Sequence, residues 1–225
     1  MSEPAKTTVK TIRVKFEKTG PAKYISHLDL QRTFARAVAR AKVAVAHSEG
    51  FNPHPKITFA SALSLGIASF CEFADISTKG EESGEQILEK LKPAFPQGLN
   101  ILAAYEPERK FSEIDRTKFH VFVKIEANIK IEANIMEEKL RELFFGEVFV
   151  DKKPGKEINL KDYICELDIS QKERDYALLD AILKTSQEMF LNPENMIRAI
   201  SQKYAVADYF IKKIEIYDST GAAFF

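Results

Sequence analysis

Residues 11–16 read TIRVKF and residues 26–42 read SHLDLQRTFARAVARAK, and the change of period between the two decides the fold. In the first, Ile12, Val14 and Phe16 alternate with Arg13 and Lys15, the period of two expected of a half-buried strand. In the second, Leu30, Phe34, Ala37, Val38 and Ala41 form the apolar stripe of a helix, and Arg32, Arg36 and Arg40 repeat every fourth residue on another face. Thr19-Gly20-Pro21 supplies the turn between them. Ser26-His27-Leu28-Asp29 is a capping-box-like start: the Ser26 hydroxyl accepts from the Asp29 N–H while the carboxylate favours the positive helix end. The helix is predicted to run to about Lys42.

Working outward, Val43 to Ala46 reads as a short strand, His47 to Lys56 as a structured hairpin loop, and Ile57 to Phe59 as strand again. Phe70 to Ser77 alternates, Ser83-Gly84-Glu85-Gln86 opens a second capped helix with Ile87, Leu88 and Leu91 inward, and Leu99 to Tyr105 closes the unit. The order βαββαβ predicts an antiparallel sheet with both helices on one face, a ferredoxin-like unit. The charged stretch from Glu106 to Lys118 is the expected domain junction.

After it the same order starts again. Phe119 to Ile125 reads as a strand, Asn134 as a cap for a helix through Phe144, Glu147 to Val150 and Asp162 to Ile169 as strands, Asn192-Pro193-Glu194 as a helix start, and Tyr209 to Tyr217 as a final strand. Tyr176 to Leu183 suits a helix as well as a strand; analogy with the first half makes it a strand. Residues 124–129 and 130–135 are the same six residues, KIEANI. An even-numbered duplication in an extended segment keeps every side chain on its face. The predicted class is therefore α+β, two tandem ferredoxin-like βαββαβ units with antiparallel sheets, at 11–107 and 118–217. They are flanked by a flexible N-terminus at 1–10 and a C-terminal tail at 218–225.

With 225 residues, 45% of them hydrophobic and 17 of them Phe, the chain has ample apolar surface for packed cores. No apolar run approaches the roughly 20 residues a membrane span requires, and no signal-peptide pattern opens the sequence. The expected setting is cytoplasmic, with no membrane partner. Two cysteines, Cys71 and Cys165, cannot furnish an iron–sulfur cluster or an all-cysteine zinc site, so both are expected to be small buried hydrophobes. Eleven Lys and Arg against four Asp and Glu give residues 1–60 a net +7, and 22 against 29 give residues 61–225 a net −7. The first quarter is thus the expected anion-facing side.

The pairing of YISHLDL (24–30) with EGFNPHPKITFASALSLG (49–66) is too odd in composition to arise from core patterning. On these motifs the chain resembles the radical SAM-linked family, whose members are encoded beside or fused to cobalamin-binding radical S-adenosylmethionine proteins. The resemblance is strong over residues 11–80 and continues to about residue 217; where the family tends to carry prolines, this chain has Ala62 and Ser64. It implies a cobalamin-binding radical SAM protein as partner and, since this chain holds no cluster motif, radical chemistry that belongs to that partner.

Three accounts of the motif residues follow from their chemistry. In the first, Ser26, His27, Asp29, Arg32, Arg36, His47, Asn52, His54 and Lys56 form one polar surface that binds an anion or RNA, with Phe51 as a stacking face. In the second, they cap, turn and stiffen the chain, and the protein is purely a structural or protein–protein interaction domain. In the third, His27, His47, His54 and Asp29 form a metal or acid/base site, with His27 and His54 as the catalytic candidates of an RNA-processing or RNA-modifying enzyme. The histidine spacing matches no standard metal motif, and no nucleophile elbow, phosphate-binding glycine loop or dinucleotide fingerprint occurs. The expected function is a non-catalytic accessory module, without a metal or cofactor of its own, that presents RNA or a ribosome-related substrate to its radical SAM partner.

Overall fold

The structure, a computed structural model, describes residues 9–126, 133–153, 155–172 and 176–225. It is α+β. The chain divides into two compact units, Met1–Phe111 with Phe225, and Ser112–Phe224. Half of the KIEANI duplication, residues 127–132, lies outside the described residues, as does the N-terminal arm as far as residue 8.

The first unit runs β1 (Val9–Lys18), α1 (His27–Arg40), β2 (Ile57–Phe59), β3 (Ala68–Lys79), α2 (Gly84–Leu91) and β4 (Leu99–Tyr105). Its strands stand in the order β4-β1-β3-β2, every neighbouring pair antiparallel. Ile12, Val14 and Phe16 of β1 point to one face, where Leu30, Phe34 and Val38 of α1 and Ile87 and Leu91 of α2 close over them in one core. Both helices therefore cover the same side of this sheet, as the alternation in TIRVKF requires.

Local chemistry sets the helix ends. Ser26 accepts from the Asp29 N–H at 3.1 Å. At the other end Lys42 takes φ 56°, and the Val43 N–H reaches the Val38 carbonyl while the Lys42 N–H reaches that of Ala39. That pair of bonds stops the helix and folds Val43 back onto the core beside Val38. The Ser83–Gln86 capping box is complete in both directions. Gly84 stands within it because a Cβ there would lie 2.3 Å from the Ala104 carbonyl oxygen, so the helix start presses directly on β4.

The second unit runs β5 (Ile114–Ile125), α3 (Ala133–Phe145), β6 (Phe149–Lys153), β7 (Lys156–Asn159), β8 (Ile164–Gln171), β9 (Ala177–Lys184), α4 (Glu194–Ser201) and β10 (Val206–Asp218). Its main sheet has the order β10-β5-β9-β8, again antiparallel. The ambiguous segment is β9: Ala177, Leu179, Ala181 and Leu183 are all fully buried, a period of two that no helix would show.

Three expectations need correction. The segment from Glu147 to Val150 does not join the main sheet; β6 pairs with β7 alone as an inserted hairpin, because the Phe149 and Asp151 carbonyls are taken by the side chains of Gln202, just past the end of α4, and Arg198 of α4. The segment from Val43 to Ala46 forms no named strand, only an isolated bridge from Val45 to Thr78. Cys71 is buried as expected, but Cys165 is only half-buried; both are free thiols. Among the described residues no helix is long and apolar enough to cross a membrane.

Asp115 at the start of β5 meets Arg116 at 2.8 Å and Lys184 at 3.1 Å. The Arg116 hydrogen bond first, and then Lys184, hold its carboxyl below the ordinary aspartate value. Stability from this group is complete above that ordinary value and is lost as pH falls through the lower folded one. Asp115→Asn is expected to flatten the fall of Tm with pH below about 4, measured by thermal melts across an acid series.

Candidate functional site

The start of α1 and the end of the GFNPHPK loop enclose a groove of about 520 Å³ lined by Leu28, Gln31, Arg32, Ala35, His54, Pro55, Ile57 and Phe59. Leu28, Gln31, Arg32 and Ala35 fall at spacings of three and four, so they share one face of α1. That face is offset from the buried stripe of Leu30, Phe34, Ala37 and Val38.

The opposite wall is extended chain. Pro55, Ile57 and Phe59 alternate toward the groove, and β2 is held against β3 by the pairs Ile57–Ile76 and Phe59–Ala74. Phe59 is the floor and also the link to the core: its ring meets Phe34 edge-on at 4.9 Å, Phe16 at 6.3 Å and His27 at 5.4 Å. The groove therefore rests on packed rings.

The loop closes on itself through its backbone. The Ser48 N–H bonds the His54 carbonyl at 2.8 Å, the Lys56 N–H that of Ala46 at 2.8 Å, and the Ser77 N–H on β3 that of Lys56 at 3.0 Å. The Ser48 hydroxyl accepts from the His54 N–H at 3.0 Å. Gly50, at φ 123°, supplies the left-handed turn at the tip, beside a fully exposed Phe51.

At the helix start, the Ser26 hydroxyl donates to Asp29 Oδ2 at 2.7 Å, and Arg32 Nη1 donates to Asp29 Oδ1 at 3.3 Å. The Ser26 hydroxyl above all, and then Arg32 and Arg36, hold the Asp29 carboxyl below its ordinary value. Asp29 thus stays charged and orients Arg32 beside the groove. Gln31 Nε2 donates to His27 Nε2 at 3.2 Å, which fixes the imidazole behind the Gln31 side chain.

Of the residues singled out from sequence, Arg32 and His54 line the groove, and Ser26, Asp29 and His27 hold its helical wall. Arg36 lies one turn further along the exposed side of α1. His47 turns away, its Nδ1–H donating to the Val45 carbonyl at 3.1 Å. Phe51 and Asn52 sit at the exposed tip. Lys56, one residue out of step with Pro55 and Ile57, does not line the groove. Among the described residues no three His, Cys, Asp or Glu side chains stand close enough to share a metal ion, so His27, His47, His54 and Asp29 are not assembled as a ligand set. Gln31, Leu28, Ala35, Pro55 and Ile57 were not marked by sequence reasoning, although an exposed leucine at position 28 beside Arg32 is a legible signal.

The fold and groove define a two-unit α+β protein with a concave, mixed polar and apolar site on its first unit. The chain belongs to the family DUF2344, described as an uncharacterized protein conserved in bacteria, whose match spans residues 11–193. Comparison with curated proteins finds no match. Among solved structures, the chain is similar to an unknown protein from Galdieria sulphuraria at 10% identity, covering 92% of this chain and 99% of that one, with a TM-score of 0.27. It is similar to a putative glycine cleavage system transcriptional repressor at 8% identity, with the same coverages and a TM-score of 0.27. Likenesses this distant carry no argument about what the groove holds.

Proposed function

We propose that this protein is a non-catalytic RNA-binding module that works beside a cobalamin-binding radical SAM protein in the bacterial cytoplasm and presents RNA or a ribosome-related substrate to it. Each unit is, on this reading, a ferredoxin-like βαββαβ arrangement, the second with the β6–β7 hairpin inserted. The partner is inferred from the resemblance carried by YISHLDL and GFNPHPK.

The observation that supports RNA is the groove. A volume of about 520 Å³ falls within the range typical of small-molecule sites and accommodates one unstacked nucleotide. The Phe59, Ile57 and Pro55 wall receives the apolar face of a base, the Gln31 amide and His54 imidazole meet its polar edge, and Arg32 with Arg36 neutralises the adjoining phosphates. Only a single strand can offer a base in this way. The +7 charge of residues 1–60 draws such a polymer toward this side of the chain.

Binding of a fluorescein-labelled oligouridine, followed by anisotropy over a salt series, tests this. Arg32→Ala with Arg36→Ala is expected to weaken affinity at least about tenfold, about 1.4 kcal/mol, and to flatten the salt slope by about 0.7 for each phosphate contact removed. Unchanged affinity in that variant sinks the proposal. RNA cleavage or modification by the isolated protein, abolished in His54→Ala while binding persists, would instead support an enzyme.

A further inference from the structure

Along β5 the odd-numbered Thr117, Phe119, Val121 and Val123 are buried, while Arg116, Lys118, His120, Phe122 and Lys124 are half-buried on the other face. Cross-strand register extends two rows over that face. One is Asp180–His120–Lys212; the other is Leu178–Phe122–Phe210.

The second row is aromatic. The Phe122 and Phe210 rings stack at 4.3 Å and 13°, and Tyr176 meets Phe210 edge-on at 5.5 Å. Lys212 Nζ lies 5.3 Å from the Phe122 centroid and 5.6 Å from that of Phe210. In the first row Asp180 lies 3.6 Å from His120 Nε2 and, from the neighbouring row, 3.0 Å from Lys118 Nζ, while Asp168 faces it from β8. Burial lowers the His120 pKa, and Lys118, Lys212 and Lys172 lower it further against the pull of Asp180.

A sheet face with stacked aromatics bordered by lysines is the chemistry that holds single-stranded nucleic acid, the bases extending the ring stack and the cations following the backbone. We propose that this face of the second unit is a further binding surface for single-stranded RNA, with bases against Phe122 and Phe210 and a phosphate on Lys212. It rests on the reading above only for the choice of RNA; the surface shares no residue with the groove.

The test uses the full chain and a labelled 12-nucleotide oligouridine, with oligothymidine of the same length alongside. Phe122→Leu with Phe210→Leu is expected to lower oligouridine affinity about tenfold at unchanged Tm. Lys212→Gln, which spares the rings, is expected to lower it about threefold and to reduce the salt slope by about 0.7. Ultraviolet cross-linking of the wild-type protein should then place uridine on the peptides containing Phe122 or Phe210. Full affinity in both variants, cross-links confined to the groove, or oligothymidine bound more tightly than oligouridine overturns the proposal. Loss of binding in the Arg32 and Arg36 variant with none in these would retain the groove and discard this face; the opposite pattern would do the reverse.

Discussion

Phe34→Ala lowers the stability of the first unit by about 3–5 kcal/mol, measured by denaturant unfolding. The side chain is fully buried, and its ring meets three others, Phe95 at 4.6 Å, Phe16 at 4.8 Å and Phe59 at 4.9 Å. Its removal costs the transfer free energy of the ring and leaves a hole that neighbours on a sheet and a helix cannot collapse to fill. It also withdraws support from Phe59, so RNA affinity is expected to fall even at temperatures where the variant remains folded. Phe51→Ala is the contrasting case. That ring is fully exposed, and its loss should change stability by less than about 0.5 kcal/mol.

Arg13→Met is expected to cost about 3–5 kcal/mol. Arg13 stands on the face of β1 opposite the helices with its side chain wholly buried, yet it makes a bidentate pair with Asp75, Nε to Oδ1 at 2.8 Å and Nη2 to Oδ2 at 2.9 Å. The Phe111 ring lies 4.2 Å from its guanidinium carbon, and Tyr105 opposes it on β4. Burial above all pushes the Tyr105 phenol up to about 12, which marks the site as poorly hydrated. Removing the guanidinium strands the Asp75 carboxylate there, and the penalty is that of an unpaired charge rather than the worth of the pair. Arg13→Met with Asp75→Leu should therefore recover much of the loss. A single variant costing under about 1 kcal/mol, or a double variant no better than the single one, would contradict this account.

The first unit was legible because its signals are local and agree with one another. The period change between TIRVKF and SHLDLQRTFARAVARAK, the Ser26 and Ser83 caps and the alternation in β3 each act within a few residues. The left-handed turn at Lys42 was not legible, since nothing about a lysine announces a positive φ; the return of Val43 to the core beside Val38 makes it worthwhile. In the second unit the β6–β7 hairpin was missed because short alternating segments look alike whether their edges meet a strand or, as here, the side chains of Arg198, in a helix distant in sequence, and Gln202, just past its end.

The site divides in the same way. Arg32 and His54 were found from residue type, but their meeting depends on β2 lying against β3, a long-range pairing that composition does not encode. Period-two alternation already separates Lys56 from Pro55 and Ile57, so its place outside the groove was available from the sequence. His47 was grouped with His27 and His54 by residue type, while its bond to the Val45 carbonyl is set by loop closure. His120 acquires its context only when β9 and β10 bring Asp180 and Lys212 to either side of it.

The most direct test of the central claim is amide chemical-shift mapping of the full chain during titration with oligouridine. Binding in the groove predicts saturable shifts at Leu28, Gln31, Arg32, Ala35, His54 and Ile57 that diminish as salt is raised. If those amides stay unmoved at oligouridine concentrations that saturate the protein, or no RNA binds at low salt, the groove is not an RNA site and the account is wrong.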